Sequence, residues 1–275
     1  MPLTISQIWI LLSLLSMALL PAEMVLAGEE DTANIGDVFF DGRHRVDLSY
    51  TSIDGFDGDA IFWIPGYTYS FSPSFRVEAR TSFVEFDFPA NADFGIEEDF
   101  NASGWGDSLI GFQYDPGANL TSGAWVPDTI GLFGSVIMPT GDKDKGLTGD
   151  TWEAEVGFGW LVDFPWNFWL LPAAAYRNTF NAGETTYRIN EAGLGLGFYW
   201  LFPFRAWVGI EPYYGWDMER DTDTDALRIV AGKAFPNGMS IDLQYGTQDR
   251  VEQGAARDDD VLLLTLSWQF GDPPD

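Results

Sequence analysis

Charged residues recur at every second position in several stretches of this chain: Arg45 and Asp47, then Arg76, Glu78 and Arg80, then Glu153 and Glu155. Apolar residues fill the alternate positions, with Val46, Leu48 and Tyr50 in the first stretch and Val77, Ala79 and Phe83 in the second. Arg177, Glu191, Glu211, Arg228 and Asp242 fall in similar settings, joined by the amides Gln113 and Gln244. Arginine and carboxylate side chains brought together either pair or hold water, so this set suits a wet, ion-handling surface. Covalent catalysis has little to draw on. The chain has no cysteine, which removes a thiol nucleophile and a thiolate metal site. Its one histidine is His44, and no G-x-S-x-G accompanies it. The acidic runs Asp142-Lys143-Asp144 and Asp221 to Asp225 lack the full spacing of a calcium loop. No cofactor and no metal centre is expected.

A period of two is the signature of strands, with successive side chains on opposite faces. Residues 261–270 show it most fully. Leu262, Leu264, Leu266, Trp268 and Phe270 share one face, and Val261, Leu263, Thr265, Ser267 and Gln269 share the other. An apolar outer face of about 9–11 residues over a more polar inner face is what a tilted transmembrane strand requires. Counting such stretches predicts twelve strands, among them residues 104–114, 124–139, 168–180, 185–201 and 261–270. Pro65-Gly66 leaves the register of the second strand open. Residues 88–103 and 251–259 read as acidic loops. Connections after even strands are mostly short and carry Pro73, Pro116, Pro165, Pro203 and Pro236, while most of those after odd strands are longer and acidic. Short periplasmic turns against longer outer loops are the asymmetry of an outer-membrane barrel. The fold class is therefore an all-β, antiparallel transmembrane barrel of about twelve strands.

Composition agrees. The chain has 12 Trp, 10 Tyr and 22 Phe. Tryptophan and tyrosine favour membrane–water interfaces, and Phe164, Trp166, Trp200, Phe202, Phe204, Trp207, Trp268 and Phe270 are expected to form an interfacial girdle. The net charge of −28 excludes nucleic acid as a partner class. Ile8 to Leu20 is apolar and Val25-Leu26-Ala27 ends it in a small-x-small pattern, so residues 1–27 read as a signal peptide, although the segment before Ile8 has no lysine or arginine. Residues 28–42 are then a short periplasmic or lumen-entering segment, 43–270 the barrel and 271–275 a tail.

The series Gly104-Trp105-Gly106-Asp107, Val136-Ile137-Met138-Pro139-Thr140-Gly141-Asp142 and Thr148-Gly149-Asp150-Thr151 resembles the outer-membrane family named for the MetA pathway of phenol degradation, often labelled a transporter. The resemblance is sharpest over residues 104–160. It implies a barrel and small-molecule passage, and it carries no catalytic residue. The expected function is a channel or transporter-like barrel of the bacterial outer membrane for small molecules, hydrophobic or aromatic ones included. Its partners would be outer-membrane lipid, the solute, and the barrel-insertion machinery, read through the aromatic end of the last strand. The alternatives are an outer-membrane lipid-modifying enzyme centred on His44, and a sealed structural or surface-interaction barrel. The lumen-lining set expected is Arg45, Asp47, Arg76, Glu78, Arg80, Gln113, Glu153, Glu155, Arg177, Glu191, Glu211, Arg228, Asp242 and Gln244.

Overall fold

The structure is a computed structural model that describes residues 43–55, 58–72, 74–88, 100–115, 129–145, 147–148, 151–180, 190–219, 222–252 and 255–272. The expected signal peptide, residues 28–42 and most of the acidic loop after the third strand lie outside the described residues. The strands are β1 (His44–Gly55), β2 (Gly58–Ser72), β3 (Phe75–Phe88), β4 (Phe100–Tyr114), β5 (Thr129–Met138) and β6 (Trp152–Phe164). Then come β7 (Phe168–Phe180), β8 (Asn190–Phe202), β9 (Ala206–Asp217), β10 (Thr222–Ala234), β11 (Met239–Glu252) and β12 (Ala255–Phe270). Each pairs antiparallel with its neighbours in sequence, and β1 pairs with β12 from His44↔Phe270 to Asp54↔Asp260. The sheet is thereby a closed barrel with no free edge.

Alternation decides the two faces. Val46, Leu48, Ile110, Val156, Leu194, Ile210, Leu227 and Leu266 point outward and are exposed. In water such a belt would be costly; against lipid it is the side that needs no partner. Aromatic rings close the belt at both ends. The end with the tight turns carries Phe71, Trp166, Trp200, Trp268 and Phe270, and the other end carries Trp105, Trp152, Phe180 and Trp216. Between Ala192, which pairs with Trp216, and Trp200 the chain takes eight steps. At about 3.3 Å per residue and a tilt of about 40° that is on the order of 20 Å, close to the height of an apolar bilayer band.

Backbone pairing outlasts the apolar pattern. β12 begins at Ala255 and pairs with β11 out to Glu252↔Ala255, so the region expected as a loop at 251–259 is mostly hairpin. β4 likewise starts at Phe100, inside the expected 88–103 loop. A ladder needs N–H and C=O groups, not apolar side chains, so it extends past the band that lipid selects. β5 is described from Thr129, and residues 124–128 of the expected strand lie outside the described residues.

Three prolines stand inside strands without ending them. β2 runs unbroken through Pro65, yet its pairing with β3 stops at Trp63↔Phe83 and resumes at Gly66↔Arg80. Pro172 leaves the same gap between Gly159↔Ala173 and Val162↔Leu170. Pro212 leaves it between Gly195↔Tyr213 and Phe198↔Ile210. Proline has no N–H to donate, so the ladder fails on the side its nitrogen faces and survives on the other. Leu48↔Pro65, Pro172↔Leu196 and Leu227↔Pro212 are all paired on that other side.

The segments Gly104–Asp107 and Pro139–Leu147 fold onto each other. Gly141 N–H donates to Asp107 Oδ1 at 3.0 Å, Asp142 N–H to the Trp105 carbonyl at 3.0 Å and Lys145 Nζ to the Ser103 carbonyl at 3.0 Å. A single 3-10 turn, Lys143–Lys145, and the buried Leu147 complete the flap. A Cβ on Gly141 would collide with the carbonyl of Leu147. Gly141→Ala should therefore cost about 1–3 kcal/mol locally by overpacking. Limited proteolysis of the folded barrel should then cut within 139–148 faster than in the unaltered protein.

Candidate functional site: the charged lumen

The inward positions of the twelve strands meet across the barrel interior, and their side chains sort into three neighbourhoods. The first is built by β1, β3 and β4. Arg45 Nε donates to Asp47 Oδ1 at 2.6 Å and its Nη2 to Ser267 Oγ at 3.2 Å, while Ser267 donates to the same carboxylate at 2.5 Å. Arg80 Nη2 donates to Glu78 Oε2 at 2.8 Å. The Arg76 guanidinium forks onto Gln113 Oε1, with Nε at 2.9 Å and Nη2 as the second donor. Each arginine reaches a partner two residues along its own strand or directly across the ladder, as alternation and register require. Arg45, Arg76, Glu78, Arg80 and Gln113 line a cavity of about 300 Å³, together with Glu155.

The second neighbourhood is built by β6 to β11 and is acidic in character. Arg177 bridges to Glu153 Oε2, with Nη2 at 2.7 Å and Nε at 2.9 Å. Glu191, Glu211 and Asp242 take neutral donors. Tyr213 OH donates to Glu191 Oε1 at 2.5 Å, and Tyr199 OH donates to Glu211. Asp242 accepts from Trp207 Nε1 at 3.1 Å and from Gln244 Nε2 at 3.0 Å. A cavity of about 480 Å³ lies among Glu155, Arg177, Glu191, Glu211, Tyr213 and Arg228. Glu155 borders both cavities.

The third neighbourhood is dry. At the tight-turn end of β6 to β10, Leu161, Trp169, Leu201, Trp207, Val230 and Ala234 form a buried cluster, with Leu171 and Tyr199 packed against it. Trp207 is 2% exposed and lies over Gly232, where any Cβ would overlap its ring. Tyr213 covers Gly193 and Gly215 in the same way, and Tyr199 covers Gly209. An inward aromatic ring can lie flat along the wall only where the neighbouring strand offers no side chain.

Of the expected girdle, Trp207 is a correction. Its position in β9 shares parity with Gly209 and Glu211, so it points into the lumen, where Asp242 satisfies its indole N–H. Trp166 sits at the β6–β7 turn with φ 75° and is 85% exposed. Phe164 packs on Phe168 at 5.7 Å, Phe202 stacks on Phe204 at 5.5 Å, and Trp268 lies 4.9 Å from Phe270. Trp200 lies exposed on β8, beside Phe168 on β7. Sequence reasoning left out Tyr199, Tyr213 and Ser267 as lumen partners. Their signal was parity: each shares a face with the charges it serves.

His44 caps this picture at the seam between β1 and β12. It stacks on Phe270 at 5.1 Å, and its Nδ1 and the Tyr67 hydroxyl are hydrogen-bonded at 2.7 Å. Among the described residues its hydrogen-bond partner is thus a tyrosine rather than a serine, and its contacts are those of a clasp on the closing strand.

No family model matches the sequence, and no curated protein is similar to it. Solved structures do match. A crystal structure of an outer-membrane channel from Pseudomonas putida F1 superposes with a TM-score of 0.62 at 14% identity, covering 90% of this chain and 100% of that one. The fold is that of an outer-membrane β-barrel. The KdgM porin follows with a TM-score of 0.50 at 10% identity, covering 82% of this chain and 99% of the porin. At these identities the likeness is one of fold.

Proposed function

We propose that the chain is a bacterial outer-membrane channel that passes small molecules along its lumen, hydrophobic and aromatic ones among them. The observation that carries this reading is the lumen itself. Two cavities with charged linings, about 300 and 480 Å³, adjoin at Glu155. Charged side chains around space of that size are stable when water fills it, and a hydrated path conducts. The fold shared with a channel and a porin supports the reading. The aromatic preference draws its support from the resemblance of Gly104–Asp107 and Val136–Asp142 to the family named for the MetA pathway of phenol degradation.

In this reading residues 1–27 are a signal peptide, 28–42 stay on the periplasmic side or enter the lumen, and 271–275 form a tail. Lipid covers the outer belt, and the insertion machinery engages β12 through its aromatic end. The lumen-lining set works as two walls. Arg45, Arg76 and Arg80 with Asp47, Glu78 and Gln113 form one. Glu153, Glu155, Arg177, Glu191, Glu211, Arg228, Asp242 and Gln244 form the other.

Purified protein in planar bilayers should give discrete conductance steps. Silence there, together with no gain in solute uptake when the gene is expressed in a porin-deficient strain, would reject the channel and favour a sealed barrel.

A further inference from the structure

A recess of about 680 Å³ lies on the outer wall over β6 to β11. Phe158, Trp160, Pro172, Leu194, Leu196 and Leu227 make its lining largely apolar. The larger lumen cavity lies directly behind it. The two spaces share Ala173, Gly195, Leu196, Pro212 and Tyr213, so little more than the sheet separates them. Side chains add little to that wall. Ala173 pairs with Gly195 across β7 and β8, and a Cβ placed on Gly195 would meet nothing closer than the Tyr213 ring at 3.9 Å.

The backbone ladder is interrupted at the same place. Leu196 pairs with Pro172 in β7 and stands opposite Pro212 in β9. From Gly195↔Tyr213 the β8–β9 ladder skips Leu196 and Gly197 and resumes at Phe198↔Ile210. One strand away, Pro172 opens the matching gap between β6 and β7. An intact ladder resists separation because each backbone hydrogen bond broken in lipid leaves groups that no water satisfies. Here Pro212 has no N–H to contribute, and the regular ladder lapses over two positions, about 7 Å of strand.

We propose that this seam is a lateral portal. A small apolar solute passes between the lumen cavity and the lipid-facing recess, between β8 and β9 at Leu196–Gly197 and Glu211–Pro212. The inference rests on the reading of the barrel as a channel. The recess volume falls within the range of small-molecule sites, roughly 300–1,000 Å³, which favours a compact solute over an extended acyl chain. The driving force is transfer of apolar surface from the hydrated, charged lumen into lipid.

The chain has no cysteine, so a pair introduced across the seam would be the only one. Phe198→Cys combined with Ile210→Cys, the first pair past the gap, places the thiols on facing residues of antiparallel strands, about 5.5 Å apart at Cα and within disulfide range, and leaves Pro212 in place. The probe is N-phenyl-1-naphthylamine, an uncharged dye that lipopolysaccharide excludes and that brightens in lipid. Its uptake is measured with outer-membrane vesicles carrying the variant, oxidised and then reduced, and conductance is read from the same protein in planar bilayers. The ratio of dye uptake to conductance should fall about tenfold on oxidation, equivalent to ~1.4 kcal/mol of added barrier, and recover on reduction. Gly195→Leu, which fills open space without touching the ladder, is the second variant should the cysteine pair fail to fold. It should also slow the dye. Dye uptake that ignores oxidation and is also unchanged by Gly195→Leu overturns the portal and leaves a lipid chain as the occupant of the recess. A barrel silent in bilayers rejects the channel reading and the portal that rests on it, whereas normal conductance steps with dye uptake indifferent to both variants reject the portal alone.

Discussion

Replacing Trp207 with alanine should destabilise the barrel by about 3 kcal/mol and raise its single-channel conductance. Trp207 is the largest fully buried side chain, and it binds the dry cluster of Leu161, Trp169, Leu201 and Val230 together on the lumen side of the tight-turn end. Truncation removes the transfer free energy of the indole and leaves a cavity that the rigid strands cannot close, which places large aromatic-to-alanine changes at about 3–5 kcal/mol. Water can enter this cavity from the lumen, so the lower end applies. The same vacancy widens the pore at its driest point. Trp207→Phe keeps most of the packing and loses the hydrogen bond to Asp242, so it should cost about 1 kcal/mol more than packing alone. The urea midpoint of the folded barrel in detergent and the step size in planar bilayers read the two effects separately. A large drop in stability with an unchanged step size would mean that the cluster does not border the conducting path.

Converting Glu191 and Glu211 together to glutamine should shift the channel's ion preference toward anions. In the described lumen Arg45, Arg80 and Arg177 are bridged to Asp47, Glu78 and Glu153. Glu191, Glu211 and Asp242 instead take hydrogen bonds from Tyr213, Tyr199, Trp207 and Gln244, none of which carries a compensating positive charge. The unaltered channel should therefore prefer cations, because seven carboxylates against five arginines leave the lumen-lining set with an excess of negative charge, which concentrates the opposite ion. Two charges about 8 Å from the path, in surroundings as polar as water, contribute on the order of 1 kcal/mol to the cost of an anion, or about fivefold in permeability ratio. Glutamine keeps an oxygen to accept from each tyrosine, so packing survives the change. Reversal potentials under a salt gradient check the result, with the larger shift at low ionic strength. Anion selectivity in the unaltered protein would show that Arg45, Arg76 and Arg80 set the barrier despite their partners.

The wall of the barrel was legible because a strand in a bilayer answers to two demands at once. One face must be apolar for lipid and the other polar for water, so period two appears in the chain as plainly as in β12, where Leu262 to Phe270 alternate with Val261 to Gln269. Nearest-neighbour pairing then leaves one arrangement that hides every edge, a closed ring. Strand ends were less legible. β4 and the β11–β12 hairpin run on beyond the apolar pattern, since backbone hydrogen bonding there does not depend on side-chain type. Trp207 shows the limit of residue type as a guide: an aromatic ring near a strand end suits the interface, but its parity with Glu211 puts it inside.

Strand count, alternating faces and the charged composition of the lumen are written along the chain, because each is a property of neighbouring residues. Tertiary structure alone decided which charges meet. Arg45 finds Ser267, far along the chain, only because β1 closes on β12. Trp207 reaches Asp242 across an intervening strand, and Pro172, Leu196 and Pro212 fall in one row of the wall only through the registers of β7, β8 and β9. Register is a sum of hydrogen bonds over whole strands, so no single segment encodes it, and the partners and weak points of the lumen wall follow from it.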